Sequence, residues 1–201
     1  MVSSFDRYAG WLSLLAGITG LGYAIAFVVL KDARLSAVFL TLAPLLSVAG
    51  LVAVFERVRA IDAGYATMAL AIGAFGALAA STHGAYDLGN VLHPPAAADV
   101  LKDVLKDVPF PADPRGFGTF GLTGIALAIL AWLSRRASDL PGWVGPVGLA
   151  LGAVLVITWL ARLIVFDATS LLVLAPALIS GLLSPLFFLG LGAWLLGWRR
   201  A

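Results

Sequence analysis

ATSLLVLAPALISGLLSPLFFLGLGAWLLGW, residues 168–198, carries no charged side chain from end to end. A helix crosses a hydrocarbon core ~30 Å thick with ~20 residues, so this stretch spans a bilayer with length to spare. Five more charge-free stretches precede it: Tyr8–Leu30, Leu35–Phe55, Ala63–Tyr86, Gly116–Ser134 and Leu140–Ala161. A water-soluble fold has nowhere to hide six such segments in 201 residues. The chain therefore reads as an all-α membrane protein, a six-transmembrane-helix bundle forming one domain over 1–201. The spans are expected at about 9–30, 35–55, 63–86, 116–134, 142–165 and 170–197, with an outer cap over 87–115.

Composition agrees. Apolar residues make up 61% of the chain and charged residues 12%, against roughly 25% charged in soluble domains. A net charge of +2 with no basic block argues against a nucleic-acid partner. The absence of cysteine excludes disulfides, thiolate nucleophiles and Cys-held metal centres. The first stretch is longer than the ~7–15 residues of a signal-peptide core, so it is expected to be an uncleaved helix.

Basic residues suggest an orientation. Six spans put both termini on one side, with Arg7, Arg57, Arg59, Arg135, Arg136, Arg199 and Arg200. The other side carries Lys31, Arg34, Lys102, Lys106 and Arg115. The excess of cations near short loops marks the cytoplasmic side. Both termini are thus expected in the cytoplasm, as in a bacterial inner-membrane protein. Trp11, Trp132, Trp143, Trp194 and Trp198 cluster at that same boundary, where an amphipathic ring is favoured.

The one long connection, His83–Arg115, lies outside. Nothing breaks the third helix before Pro94-Pro95. Beyond the prolines, Val100, Leu101, Val104, Leu105 and Val108 share one helical face, opposite Asp99, Lys102, Asp103, Lys106 and Asp107. This predicts a short amphipathic helix over 96–108, either a lid on the membrane surface or a docking helix for a partner. Pro109–Pro114 reads as a stiff link into the fourth span.

Small residues recur inside the spans, among them Gly17 and Gly20, Gly73 and Gly76, and Gly145, Gly148 and Gly152. Close backbone approach of this kind is how helices associate in lipid. Gly116-Phe-Gly-Thr-Phe-Gly matches a dinucleotide-binding string, but a proline-rich loop precedes it and a span follows it. A packing face is the reading its context supports. Pro44, Pro176 and Pro185 are expected to kink their helices. A faint parallel repeat relates Gly10-Trp11 to Gly142-Trp143, and Leu-Ala-Pro at 42–44 to the same triplet at 174–176.

Polar chemistry concentrates near the outer boundary. His83, Tyr86, Asp87 and Asn90 share one side of the third helix, with His93 further on. Asp87, one turn from His83, could orient it as an acid/base. Two histidines ten residues apart are ~15 Å apart along a helix axis, so they cannot hold one metal together. Arg162 falls inside the fifth span and must snorkel, pair or line a wet cavity. Asp167 and Asp87 are its candidate partners, and Trp159 can offer its ring. The candidate binding residues are therefore His83, Tyr86, Asp87, Asn90, Arg162 and Asp167. No catalytic set, metal site or cofactor is expected.

Leu140-Pro-Gly-Trp143 with Gly145, Gly148 and Gly152 resembles the start of the fifth span in small, uncharacterised bacterial six-helix membrane proteins. The resemblance covers about the last third of the chain. It implies a six-helix bundle and transfers no site residue. The expected function is a non-enzymatic accessory or binding subunit that presents its outer polar face to a protein partner or lipid. Membrane lipids, a membrane-protein partner or a second copy of the chain are the expected associates. A small permease for an apolar or amphipathic solute is the alternative, and an interfacial enzyme using His83, Asp87 and Arg162 is the third.

Overall fold

The computed structural model describes residues 3–93, 113–165, 167 and 170–198. Among them it contains six helices long and apolar enough to cross a membrane, and the protein is a multi-pass six-helix bundle. The expected amphipathic helix at 96–108 lies outside the described residues.

Short polar caps set where the first three helices begin. α1 (Ser4–Ala24) starts at Ser3, whose hydroxyl accepts the Asp6 N–H at 2.9 Å. It continues as a π-helical turn, Ile25–Leu30, and stops at Lys31 in the left-handed conformation. α2 (Ala33–Val58) and α3 (Ala63–Leu92) begin at Asp32 and Asp62. Their carboxylates accept the Leu35 and Tyr65 N–H groups, each at 3.0 Å, satisfying donors that a helix start leaves open. α3 runs on well past Tyr86, as the lack of a breaker before Pro94 predicts. A 3-10 turn at Pro114–Gly116 and a π-helical stretch at Phe117–Leu122 lead into α4 (Thr123–Ser134). α5 (Val144–Ile164) and α6 (Leu171–Leu195) complete the bundle.

The helices form a closed ring in chain order. Each packs on its sequence neighbours, and α6 closes the ring against α1. Ser3 and Trp198 lie at one end, called here the near end; the connections α1–α2, α3–α4 and α5–α6 lie at the far end. The buried apolar core occupies the near half, with Val54 and Val58 of α2, Leu130 and Leu133 of α4, Leu151 of α5, and Leu191 and Leu195 of α6.

Glycines set how closely the helices approach. A methyl group at Gly192 would sit 2.7 Å from the Gly10 carbonyl oxygen. Gly124 and Gly152 face each other across α4 and α5, where a methyl on Gly152 would lie 2.8 Å from the Gly124 oxygen. The Gly-x-Gly-x-x-Gly string behaves as a packing face: Gly118 rests on Ala79, Gly121 on the Trp159 ring and Gly124 on α5. At the near end, Arg57 bonds Asp6 at 2.7 Å and lies 4.9 Å from the Trp194 ring centroid, tying α1, α2 and α6 together. Trp11 meets Trp198 edge-on, and Arg136 covers Trp132. Trp143 packs instead on Phe187, edge-on at 5.7 Å.

Replacing Gly192 by valine forces α1 and α6 apart where no flexible side chain can give way. A loss of about 1–3 kcal/mol is expected, read as a lower thermal unfolding midpoint in detergent. Gly142→Ala, where an added methyl meets nothing within 4 Å, serves as the silent control.

Candidate functional site

The far half carries two connected features, a buried carboxylate and a cavity. The carboxylate is Asp113, which is 1% exposed. The chain reverses into α4 through two successive left-handed residues, Arg115 (φ 57°) and Gly116 (φ 75°). Asp113 fastens this reversal from inside. Its Oδ1 accepts the Gly118 N–H at 2.7 Å, and its Oδ2 accepts the Thr119 hydroxyl. The same Oδ2 lies 3.4 Å from His83 Nδ1. His83 Nε2 faces Asp87 Oδ2 at 3.6 Å. Each histidine nitrogen thus has a carboxylate within 4 Å.

Burial alone would raise the Asp113 carboxyl. The hydrogen bonds from His83, Thr119 and the Gly118 N–H, together with the His83 charge, outweigh it and hold the group below the usual carboxylate range. Sequence reasoning missed Asp113 because an acid between prolines reads as a solvated loop residue. The one signal was Asp-Pro followed by Arg-Gly, a pattern that starts tight turns.

The residues expected to share this site are only partly brought together. His83 and Asp87 meet. Tyr86 is exposed and Asn90 is half-buried further along α3; Asp167 is exposed in the α5–α6 connection. Among the described residues no three His, Asp or Glu side chains converge as metal ligands.

Arg162 departs from its expected pairings. Neither Asp87 nor Asp167 forms an ion pair with it: the described cation–carboxylate pairs are Arg57–Asp6, Arg59–Glu56, and His83 with Asp87 and Asp113. The reason is geometric. α5 ends at Ile164, and extended backbone at Val165 (φ −102°, ψ 116°) carries Asp167 away to the surface. The guanidinium lies 5.4 Å from the centroid of Phe120, not over Trp159. Trp159 packs on Phe117 at 5.5 Å instead, and its Nε1 is buried with no hydrogen-bond partner among the described residues.

Arg162 lines the second feature, a cavity of about 490 Å³ inside the ring. That size falls within the ~300–1,000 Å³ of small-molecule sites. Ala16, Leu51, Gly73, Leu127 and Phe188 line its deeper part, and Tyr23, Thr119, Phe120 and Arg162 its far part. The wall is overwhelmingly apolar. Where α1 and α6 flank it, Val29 is 70% exposed and Leu182 is 55% exposed. The close glycine contacts between these two helices reach Gly20 and Pro185. Beyond them Gly181, on the cavity wall, meets nothing within 4 Å of an added methyl. His83 and Asp87 are not on the wall.

No family model matches the chain, and no curated protein or solved structure matches it. The fold and the cavity define its class: a multi-pass six-helix membrane protein closed in one half and hollow in the other.

Asp113 ties acid stability to the α4 entrance. A lowered carboxyl contributes stability fully above its unfolded value of about 3.9 and loses it as pH falls through the lower folded value. Asp113→Asn presents an amide N–H₂ in place of one accepting oxygen. It is expected to cost roughly 1–3 kcal/mol at neutral pH and to flatten the acid limb of the melting curve. Unfolding midpoints from pH 7 to pH 3, compared between the two proteins, check this.

Proposed function

We propose that this chain is a non-enzymatic binding protein of the bacterial inner membrane that takes an amphipathic, lipid-like molecule into the far half of its bundle. The observation that carries this reading is the apolar cavity of about 490 Å³, flanked by exposed apolar residues of α1 and α6. Such a site receives its ligand from the bilayer itself, because the flanking surface faces lipid and not water. The cation excess at the near end supports an orientation with both termini cytoplasmic, which puts the cavity in the outer leaflet. The role is that of an accessory subunit offering its outer half to lipid. Association with a membrane-protein partner or a second copy is compatible with it.

One observation favours transport as the second reading. Pro44 and Pro185 both line the cavity. Neither can donate to the carbonyl one turn earlier, at Leu40 and Gly181, and these residues line the cavity too. Helices interrupted beside a midplane site are how many transporters are built. The enzymatic reading is weaker, since Arg162 lines the cavity while His83 and Asp87 do not.

Native mass spectrometry of gently extracted protein tests the proposal. One lipid-sized adduct per chain is expected. Gly181→Phe places a ring in the cavity from a position with open space, so the variant should fold and lose the adduct. A bare wild-type chain, or an adduct retained at full occupancy by a folded Gly181→Phe, overturns it.

A further inference from the structure

Among the described residues the cavity wall carries one charged side chain, Arg162. Its hydroxyl groups are mostly spent. Ser47 and Ser180 donate to carbonyls of their own helices, Thr119 donates to Asp113, and Thr123 donates to the Gly118 carbonyl. Tyr23 and Arg162 are different. The Tyr23 ring stacks on Phe27 at 5.6 Å, and no hydrogen bond of its hydroxyl is found among the described residues. The Arg162 guanidinium carbon lies 5.4 Å from the Phe120 ring centroid, and no carboxylate lies within 4 Å of the group among them. Both groups line the same cavity; the Asp87 carboxylate and the Arg162 guanidinium both act on Tyr23, and the Asp113 carboxylate acts on Arg162.

The Asp113 carboxylate attracts this cation from a distance, but no carboxylate bonds it directly among the described residues. Asp113 is the nearest candidate, but both its oxygens already accept hydrogen bonds from Gly118 and Thr119. Arg115 donates to the Arg162 carbonyl at 3.5 Å. A guanidinium and a phenol at one end of an apolar cavity are both donors, so they call for a partner that accepts. A guanidinium binds a carboxylate through two parallel N–H donors.

We propose that the cavity holds one long-chain carboxylate, with its head on Arg162 and Tyr23 and its alkyl chain running toward Phe188, Leu51 and Leu127. This rests on the binding function proposed above and names its ligand class. A single chain suits the size of the cavity, and the exposed wall between α1 and α6 lets that chain pass in sideways without dragging its head through hydrocarbon. Charge complementarity at the far end selects the carboxylate over an alcohol or an amine.

The test is competition among three probes that share one chain and differ in the head: palmitate, hexadecanol and hexadecyltrimethylammonium. Binding to the purified full chain in neutral detergent is read by displacement of a fluorescent fatty acid. Palmitate is expected to bind at least about tenfold tighter than hexadecanol, the worth of one charge-assisted hydrogen bond. The cationic probe should be the weakest. Arg162→Gln should erase the palmitate advantage and leave hexadecanol unchanged, while Arg162→Lys keeps part of it. Tyr23→Phe should lower palmitate affinity a few-fold, which serves if Arg162→Gln does not fold. Equal affinity for palmitate and hexadecanol in the wild type, with both lost in Gly181→Phe, overturns the carboxylate proposal and leaves the binding function standing. No saturable binding of any probe, or binding that Gly181→Phe does not touch, overturns both.

Discussion

Helices inside a bilayer gain little by hiding apolar surface from one another, because lipid tails are as apolar as leucine. What holds them is contact, and contact is closest where backbones can touch. In this bundle that condition is met at several depths. Gly10 against Gly192 brings α6 onto α1 near the termini, Gly124 against Gly152 brings α5 onto α4 at mid-span, and Gly84 brings α3 onto the α2 backbone at Thr41 in the far half. The α1–α6 seam differs: toward its far end large side chains resume, Phe27 and Val29 on α1 and Leu178 and Leu182 on α6. Past Gly20 and Pro185 no close glycine contact joins these two helices, and the cavity lies behind that stretch.

Polar groups at the far end divide by whether their hydrogen-bonding capacity is met. The Asp113 carboxylate is buried and saturated, accepting from backbone and side-chain donors. A buried charge is tolerable in that condition. It holds the reversal into α4 and, through His83, joins it to α3. Arg162 is the opposite case, a cation facing an apolar space beside an aromatic ring. The contrast separates a charge that builds the fold from one the fold displays.

Much of this architecture was legible in the sequence. The charge-free stretches located all six helices, and the context of the Gly-x-Gly-x-x-Gly string identified it as a packing face. Pro44, picked out by the faint Leu-Ala-Pro repeat, lies on the cavity wall, although the repeat itself does not say that a cavity exists. The site was less legible because it depends on which way helices turn about their axes. Periodicity puts His83 and Asp87 together, since they are one turn apart. It cannot place Asp113, thirty residues away in sequence, against His83. Nor can it show that Arg162 turns inward while Asp167, five residues on, leaves the helix altogether. Tyr23 sits in a run of apolar residues with nothing to distinguish it until the fold sets it on the same cavity as Arg162.

The closing of the ring by α6 against α1 has a consequence for how the protein is made. Each of the first five helices can settle against the one emitted before it, so most contacts form as the chain is threaded into the membrane. The last seam is different, because it joins the first helix to the last. Until α6 emerges, Gly10, Gly17 and Gly20 face lipid with nothing packed on them, and the future cavity is an open trough along α1. The seam between α1 and α6 is therefore the last part of the bundle to form, and the cavity gains its full wall only when the sixth helix is in place.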